Sequence, residues 1–332
     1  MAIYFLSMKI FGRGGGSSAV SAAAYRSGER IHDERTGRSY DHSDRLDVMN
    51  KEIVLPSEFA DEEMPWARDR AALWNAAEGA EGRKNARVAR EYLVALPVEL
   101  SPRERLTLVR GFSQELSDRY GFALDFAIHA PRDFPGSDPR NFHAHLLATT
   151  REVTSNGLGA KTTLDLSDKN RFQLGLRSAI HELLHVRERW AAVANEALHD
   201  AHIATRIDHR TLAAQGIDRE PRPHIPKGAF EMERHGFRSE LAERLRGEYE
   251  ARVEARAQTG VQAGAQADGQ ARQTKTNELA AGAQPAKPQS LEDIRREARE
   301  NWLQLRQSRS QGHTESTPPA AVNRGRDDDL AK

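Results

Sequence analysis

Between Phe122 and His129 two kinds of residue alternate, with Phe122, Leu124, Phe126 and Ile128 on one side and Ala123, Asp125, Ala127 and His129 on the other. A period of two is the mark of a strand with one face on a core. An eleven-residue turn, Ala130 to Arg140, holds three prolines and a glycine, and Asn141 to Thr149 predicts the partner strand. On that strand Phe142, Ala144 and Leu146 share one face, and His143 and His145 share the other. From Ser101 to Tyr120 the spacing becomes helical, with Ser101 as cap, Pro102 in the first position, Glu104 closing a capping box, Leu106, Val109 and Leu116 as the apolar stripe, and Gly121 as the stop. Ser17 or Ser18 caps another helix from Ala19 to Ser27, which Gly28 ends. Ile3 to Ile10 predicts a first strand, followed by a flexible turn through Gly12, Gly14, Gly15 and Gly16. A long helical stretch is expected from near Asp61, with Pro65 in its first turn and Leu73 and Trp74 along it; another approaches Glu91 ahead of an apolar strand from Tyr92 to Leu96. Strands and helices do not alternate regularly, which predicts an α+β fold with a central antiparallel β-sheet flanked by helices.

Composition sets the limits of that domain. Of 21 aromatic residues only Tyr249 and Trp302 follow position 240, so the folded domain is expected to span 1–240 and the remainder, 241–332, to be linker and largely disordered tail. Ala251 to Gln289, rich in Ala, Gln, Gly, Thr and Pro, reads as the linker, and a solvated helix near 290–309 is capped by Ser290. There are 49 Lys and Arg against 49 Asp and Glu; subtracting the 15 and 14 beyond position 240 leaves 34 against 35 before it. Neither part is basic, which excludes indiscriminate nucleic-acid binding as the main mode and leaves recognition through a local site. With no cysteine in the chain, any metal must be held by His, Asp or Glu, and a reducing compartment is expected. No apolar run is long enough to span a membrane, so no membrane insertion is expected. Lys9 interrupts the apolar start, and no basic segment precedes it, which predicts a mature cytoplasmic protein.

Histidines carry the clearest chemistry. His143 and His145 project from one strand face, and in a long hairpin His129 lies on that face opposite one of them. Three imidazoles with open coordination positions are the arrangement of a catalytic metal site; a solvated histidine face is the bland alternative. Tyr25 rises beside Arg26 above Ser18, Ser21 and Ala22, while Val20, Ala23 and Ala24 suit the buried side of the same helix. Spacing leaves open whether Tyr25 meets a phosphate or anchors its helix.

These residues resemble a family. The strand Ile3 to Lys9, the segments Ser18-Ala-Val-Ser-Ala-Ala-Ala-Tyr25-Arg-Ser-Gly28, Leu73-Trp-Asn-Ala-Ala-Glu78 and Arg140-Asn-Phe-His143-Ala-His145-Leu-Leu-Ala-Thr-Thr-Arg151, then Gly157 to Lys161 and Arg206-Ile-Asp208-His209-Arg210 through Pro221 to His224, are together similar to the MobA/MobL relaxases of mobilisable plasmids. The likeness runs in order through residues 1 to about 240. It implies a histidine-hydrophobe-histidine endonuclease of the relaxase and rolling-circle nuclease type. In such an enzyme Tyr25 attacks a phosphodiester of single-stranded DNA at a plasmid transfer origin, leaving a 5′-phosphotyrosine and a free 3′-hydroxyl, and later rejoins the strand. The resemblance implies a divalent ion, Mg²⁺ or Mn²⁺ with Zn²⁺ as a further option, on His129, His143 and His145. It further implies a bacterial cytoplasmic location, relaxosome accessory proteins and a type IV coupling protein as partners. Glu78, Glu81, Glu91 and Asp125 are candidates to take the tyrosine proton or support the site, with Glu91 and Asp125 bordering the sheet. Arg26, Arg140, Arg151, Arg206 and Arg210 are candidate DNA contacts.

Three other functions compete: a rolling-circle replication initiator with the same chemistry, a noncatalytic origin-binding protein, and a zinc metalloprotease. The last rests on His181-Glu182-Leu-Leu-His185, which matches His-Glu-x-x-His. On a wheel from Gln173 to Leu198 the apolar face is Leu176, Ile180, Leu183, Trp190, Ala194 and Leu198, and both histidines fall opposite it on a solvated side. Gly12 to Ser18 lacks the Gly-Lys-Ser/Thr ending of a nucleotide loop.

Overall fold

The computed structural model describes residues 2–60, 62–132 and 138–258. The chain divides into two compact units, 1–219 and 220–332. The first contains strands β1 (Leu6–Gly12), β2 (Arg30–Asp33), β3 (Arg38–Asp41), β4 (Val48–Val54), β5 (Arg87–Ala95), β6 (Phe122–His129), β7 (His143–Thr154) and β8 (Gly157–Lys161). Its helices are α1 (Ala19–Ser27), α2 (Pro65–Arg68), α3 (Arg70–Gly79), α4 (Pro102–Tyr120), α5 (Asp168–Gln173) and α6 (Ala179–Asp200). In the second unit, α7 (Lys227–Arg234) is followed by a helical stretch over 240–258. Residues 251–258, expected to open the linker, are helical, with Arg252 paired to Glu220 at 2.6 Å. The rest of the expected linker and the helix near 290–309 lie outside the described residues.

The main sheet is antiparallel in the order β1-β5-β7-β6-β4, and β8 pairs with the far end of β7. Its two faces differ in chemistry. Tyr92, Val94, Phe122, Leu124, Phe126, Ile128, Ala144 and Leu146 build a large apolar core with Phe112 and Leu116 of α4 and Trp190 and Leu198 of α6. Ala123 and Leu147 face the other way, into a core of small residues from α1 together with Leu73 and Trp74 of α3. Both faces are covered, so every residue of β6 is buried, including His129. A solvated histidine face is thereby excluded.

Local signals set most boundaries. Ser101 and Glu104 form the reciprocal capping box of α4, and Gly121 ends it at φ 70°. The buried stripe of α4 runs through Leu108, Val109, Phe112 and Leu116, with Leu106 only partly buried. Two expectations fail in an instructive way. The long helix from Asp61 is broken at Asp69, which is extended (φ −90°, ψ 122°) and caps α3 by accepting from the Ala72 N–H at 2.7 Å. The segment approaching Glu91 is strand, not helix: residues from Arg87 onward pair with β1 and β7, an override by tertiary pairing. The wheel of the late helix also shifts. Leu176 precedes α6 and Ile180 is exposed, while Val186, Trp190, Ala191, Ala194 and Leu198 are buried.

Gly28 terminates α1 at φ 63°, where an added Cβ would stand 3.1 Å from Val48 Cγ2. Gly28→Ala should destabilise the protein by about 1–2 kcal/mol through the left-handed backbone alone, read as a lower urea midpoint at unchanged slope; an unchanged midpoint would refute this account of the helix end.

Candidate active site

Helix α1 is fixed before its tyrosine is reached. The Ser18 hydroxyl accepts from Ser21 N–H at 3.2 Å and donates to Asp33 at 2.7 Å. Glu78, buried on α3, accepts from the Ala19 N–H at 2.7 Å, from Arg13 Nε at 2.8 Å and from Arg35 Nε at 2.9 Å. An acceptor with full charge at a helix N-terminus offsets both unpaired N–H groups and the macrodipole. Glu78, a candidate proton acceptor, is thus committed to holding the helix. Arg13 also pins the glycine turn, so this connector is anchored rather than free. The alanine run explains itself in packing: Ala19, Val20, Ala23 and Ala24 are buried against the sheet side, where larger side chains would hold the helix off. Tyr25 lies on the outer side, 38% exposed.

The histidines converge as the strand periods predict. His129 pairs directly with His143, and His145 pairs with Ala127. Ring centroids lie 5.3 Å apart for His129 and His143, 4.8 Å for His129 and His145, and 5.2 Å for His143 and His145. One nitrogen from each ring falls within 4.8 Å of the others, the one such grouping of potential ligands among the described residues. Each ring is oriented through its other nitrogen. His145 Nδ1 faces a Glu91 oxygen at 2.6 Å, His143 Nδ1 faces the Asn141 carbonyl at 3.0 Å, and His129 Nε2 faces the Arg26 carbonyl at 2.7 Å. Acceptors at those positions place the proton there and turn the opposite lone pairs toward one another, as metal ligands require. Burial lowers the pKa of all three, that of His129 to about 3, so neutral imidazole is the resting form. This donor set fits a divalent transition-type cation.

The acidic candidates separate. Burial alone would raise Glu91, but its hydrogen bonds to His145 and Arg26 bring its pKa down to about 2. It is therefore a carboxylate shared between His145 and Arg26 Nε, the latter at 2.5 Å. Asp125 accepts from Arg70 at 2.8 Å through both oxygens and from Trp74 Nε1 at 2.9 Å, which ties α3 to β6. Glu81 is paired with Lys161 at 2.5 Å and Arg151 at 2.8 Å.

The candidate DNA arginines also separate. Arg26 turns inward to Glu91 and the Ala22 carbonyl, with its side chain 12% exposed, so the phosphate contact expected of it gives way to a buried ion pair. Arg151 is partly buried on Glu81 and the Gly159 carbonyl. Arg140, Arg206 and Arg210 are at the surface, Arg140 on Asp138 and Arg210 on Asp208. The residues around the Tyr25 ring escaped the sequence reading: Arg45 stands over its face, 4.2 Å from the centroid, and His42 meets it edge to face at 5.3 Å. Their loop has no periodicity, and nothing in its spacing points to Tyr25.

His181 and His185 form no metal grouping. Glu182, the supposed protease base, accepts from Tyr120 at 2.9 Å and Arg119 at 3.2 Å, joining α6 to α4. Mn²⁺ titration calorimetry should give the same affinity for His181→Ala/His185→Ala as for the unaltered protein, whereas His143→Ala should lose about tenfold or more. The reverse ranking would place the metal on α6.

Residues 17–235 match the MobA/MobL family. The chain is 37% identical over 274 residues to the mobilization protein MobL of Acidithiobacillus ferridurans, covering 74% of this chain and 70% of that one. It is 32% identical to a probable conjugal transfer protein TraA of Sinorhizobium fredii, over 76% of this chain but 24% of the relative. A probable mobilization protein MobA of Bifidobacterium longum is also 32% identical, over 73% of this chain and 46% of that one. The chain thus spans most of MobL and less than half of the other two. With the family match covering the sheet, the Tyr25 helix and all three histidines, the chain belongs to the MobA/MobL family.

Proposed function

We propose that the chain is a plasmid mobilisation relaxase that nicks single-stranded DNA at a transfer origin through Tyr25. The observation that carries this reading is the junction of tyrosine and histidines: Arg45 stacks on the Tyr25 ring and reaches His129 Nδ1 at 3.2 Å. An exposed tyrosine one guanidinium away from a three-histidine cluster suits phosphoryl transfer better than helix anchoring.

In the forward step the Tyr25 oxygen bonds to phosphorus, the bond from phosphorus to the 3′-oxygen breaks, the phenol proton leaves to solvent, and the 3′-oxygen is protonated. One phosphodiester replaces another, so the reverse step rejoins the strand. A divalent cation, Mg²⁺, Mn²⁺ or Zn²⁺, on His129, His143 and His145 supplies Lewis-acid stabilisation of phosphate charge. The chain's own residues position the parts: Glu91 orients His145, the Arg26 carbonyl orients His129, and the fixed α1 presents Tyr25. Arg140, Arg206 and Arg210 offer salt-sensitive DNA contacts from the surface. A bacterial cytoplasmic setting, accessory proteins of the relaxosome and a type IV coupling protein complete the reading. Among the described residues no helix is long and apolar enough to cross a membrane.

The test incubates the protein with oligonucleotides tiled across the transfer region and Mn²⁺. A covalent adduct should form, vanish with EDTA and be absent from Tyr25→Phe; an undiminished adduct from that variant would refute the assignment, and a gel shift without cleavage would favour noncatalytic binding. Glu91→Gln should weaken Mn²⁺ binding by about 10- to 100-fold; unchanged affinity would remove Glu91 from the site's support.

A further inference from the structure

No carboxylate contact with the Tyr25 phenol is found among the described groups that could accept its proton. Glu91 is taken by Arg26 and His145, and Asp125 by Arg70 and Trp74. What faces the tyrosine is positive or neutral. Arg45 covers the ring, donates from Nη1 to the Tyr25 carbonyl at 2.5 Å, and is gripped by Asp47 through Nε at 2.9 Å and Nη2 at 2.5 Å. Arg132, just beyond β6, donates from Nε to the same Asp47 oxygen at 2.9 Å and also reaches the Tyr25 hydroxyl as a hydrogen-bonding partner. His42 closes the ring's edge.

Asp47 is the yoke of this arrangement. Burial would raise its pKa, but hydrogen bonds and charge from Arg45 and Arg132 hold it well below the usual carboxylate range. A carboxylate bound by two guanidiniums is a poor proton acceptor, and its role here is to set the spacing of two permanent cations. Arg45, Asp47 and Arg132 line, with Ala130 and Pro131, a cleft of about 480 Å³ that opens beside them. Arg45 is nearly buried, whereas the Arg132 side chain is 47% exposed and stands at the mouth.

We infer that Arg132 and Arg45, yoked by Asp47, activate Tyr25 by stabilising negative charge on its oxygen, and that the cleft they border receives the phosphodiester backbone next to the nick. This rests on Tyr25 being the nucleophile. The phenol proton then goes to solvent, and no protein base is required. Arg132 is the catalytic member because it touches the attacking oxygen; Arg45 is a positioning residue that acts across the ring face and links it to His129. Cation stabilisation of a developing oxyanion belongs to the large terms in catalysis.

The experiment measures single-turnover adduct formation with an oligonucleotide carrying the nick site, at saturating Mn²⁺, from neutral to alkaline pH, for the unaltered protein, Arg132→Gln and Arg132→Lys. Arg132→Gln should slow the neutral-pH rate by about 10²-fold, recover part of the loss as pH rises, and keep the Mn²⁺ affinity; Arg132→Lys should restore part of the rate. Independently of DNA, the tyrosinate absorbance obtained by subtracting Tyr25→Phe should appear at higher pH in Arg132→Gln. A variant with the original rate and pH profile, or one slowed equally at every pH with an unmoved absorbance titration, overturns the inference and leaves the relaxase reading intact. If the unaltered protein forms no adduct, the relaxase reading falls and this inference with it.

Discussion

One buried carboxylate holds the site together. Glu91 sits in the middle of β5, paired across to Lys9 on one side and Leu147 on the other, and one of its oxygens meets both Arg26 Nε and His145 Nδ1. A lone carboxylate in that position would be costly to bury, and its two partners reverse the balance. Arg26 contributes twice, since its carbonyl also orients His129. Because Tyr25 is the residue before Arg26, the contacts that orient two histidines also fix the place of the tyrosine. The nucleophile and the metal ligands are therefore a single mechanical unit.

The two sheet faces divide the remaining tasks. Large side chains between the sheet, α4 and α6 supply the apolar burial that stabilises the fold. On the other face alanines let α1 come close, and the polar groups there are matched in detail: Glu78 with the helix start, Asp125 with Arg70 and Trp74, Asp47 with two arginines. Rigid strands carry the histidines, and the tyrosine rides on a short helix capped at both ends, Ser18 by its hydroxyl and Gly28 by its left-handed backbone. Exposed Tyr25 is left as the part that meets substrate.

Much of this was legible in the chain because its signals are local. The alternation through Phe122 to His129 and Phe142 to Leu146 predicts the hairpin and the shared histidine face, and Ser18 to Gly28 predicts α1 with its buried and exposed sides. What could not be read depends on partners far apart. Glu91 follows a segment with mixed propensity that becomes strand only because β1 and β7 flank it. Asp69 turns one expected helix into two by capping the second. Arg132 lies 85 positions from Asp47, and their ion pair forms only once β4 and β6 are paired. The solvated look of the histidine face was likewise reversed by helices drawn from elsewhere in the sequence.

A double-mutant cycle on Arg26→Met and Glu91→Gln, followed by urea unfolding of the metal-free protein, measures the coupling on which this arrangement depends. Residues in direct buried contact should show a coupling of about 1–3 kcal/mol, with the double variant far less destabilised than the two single losses added together. Strictly additive losses would contradict the account, because they would mean that the tyrosine helix and the histidine cluster are held independently.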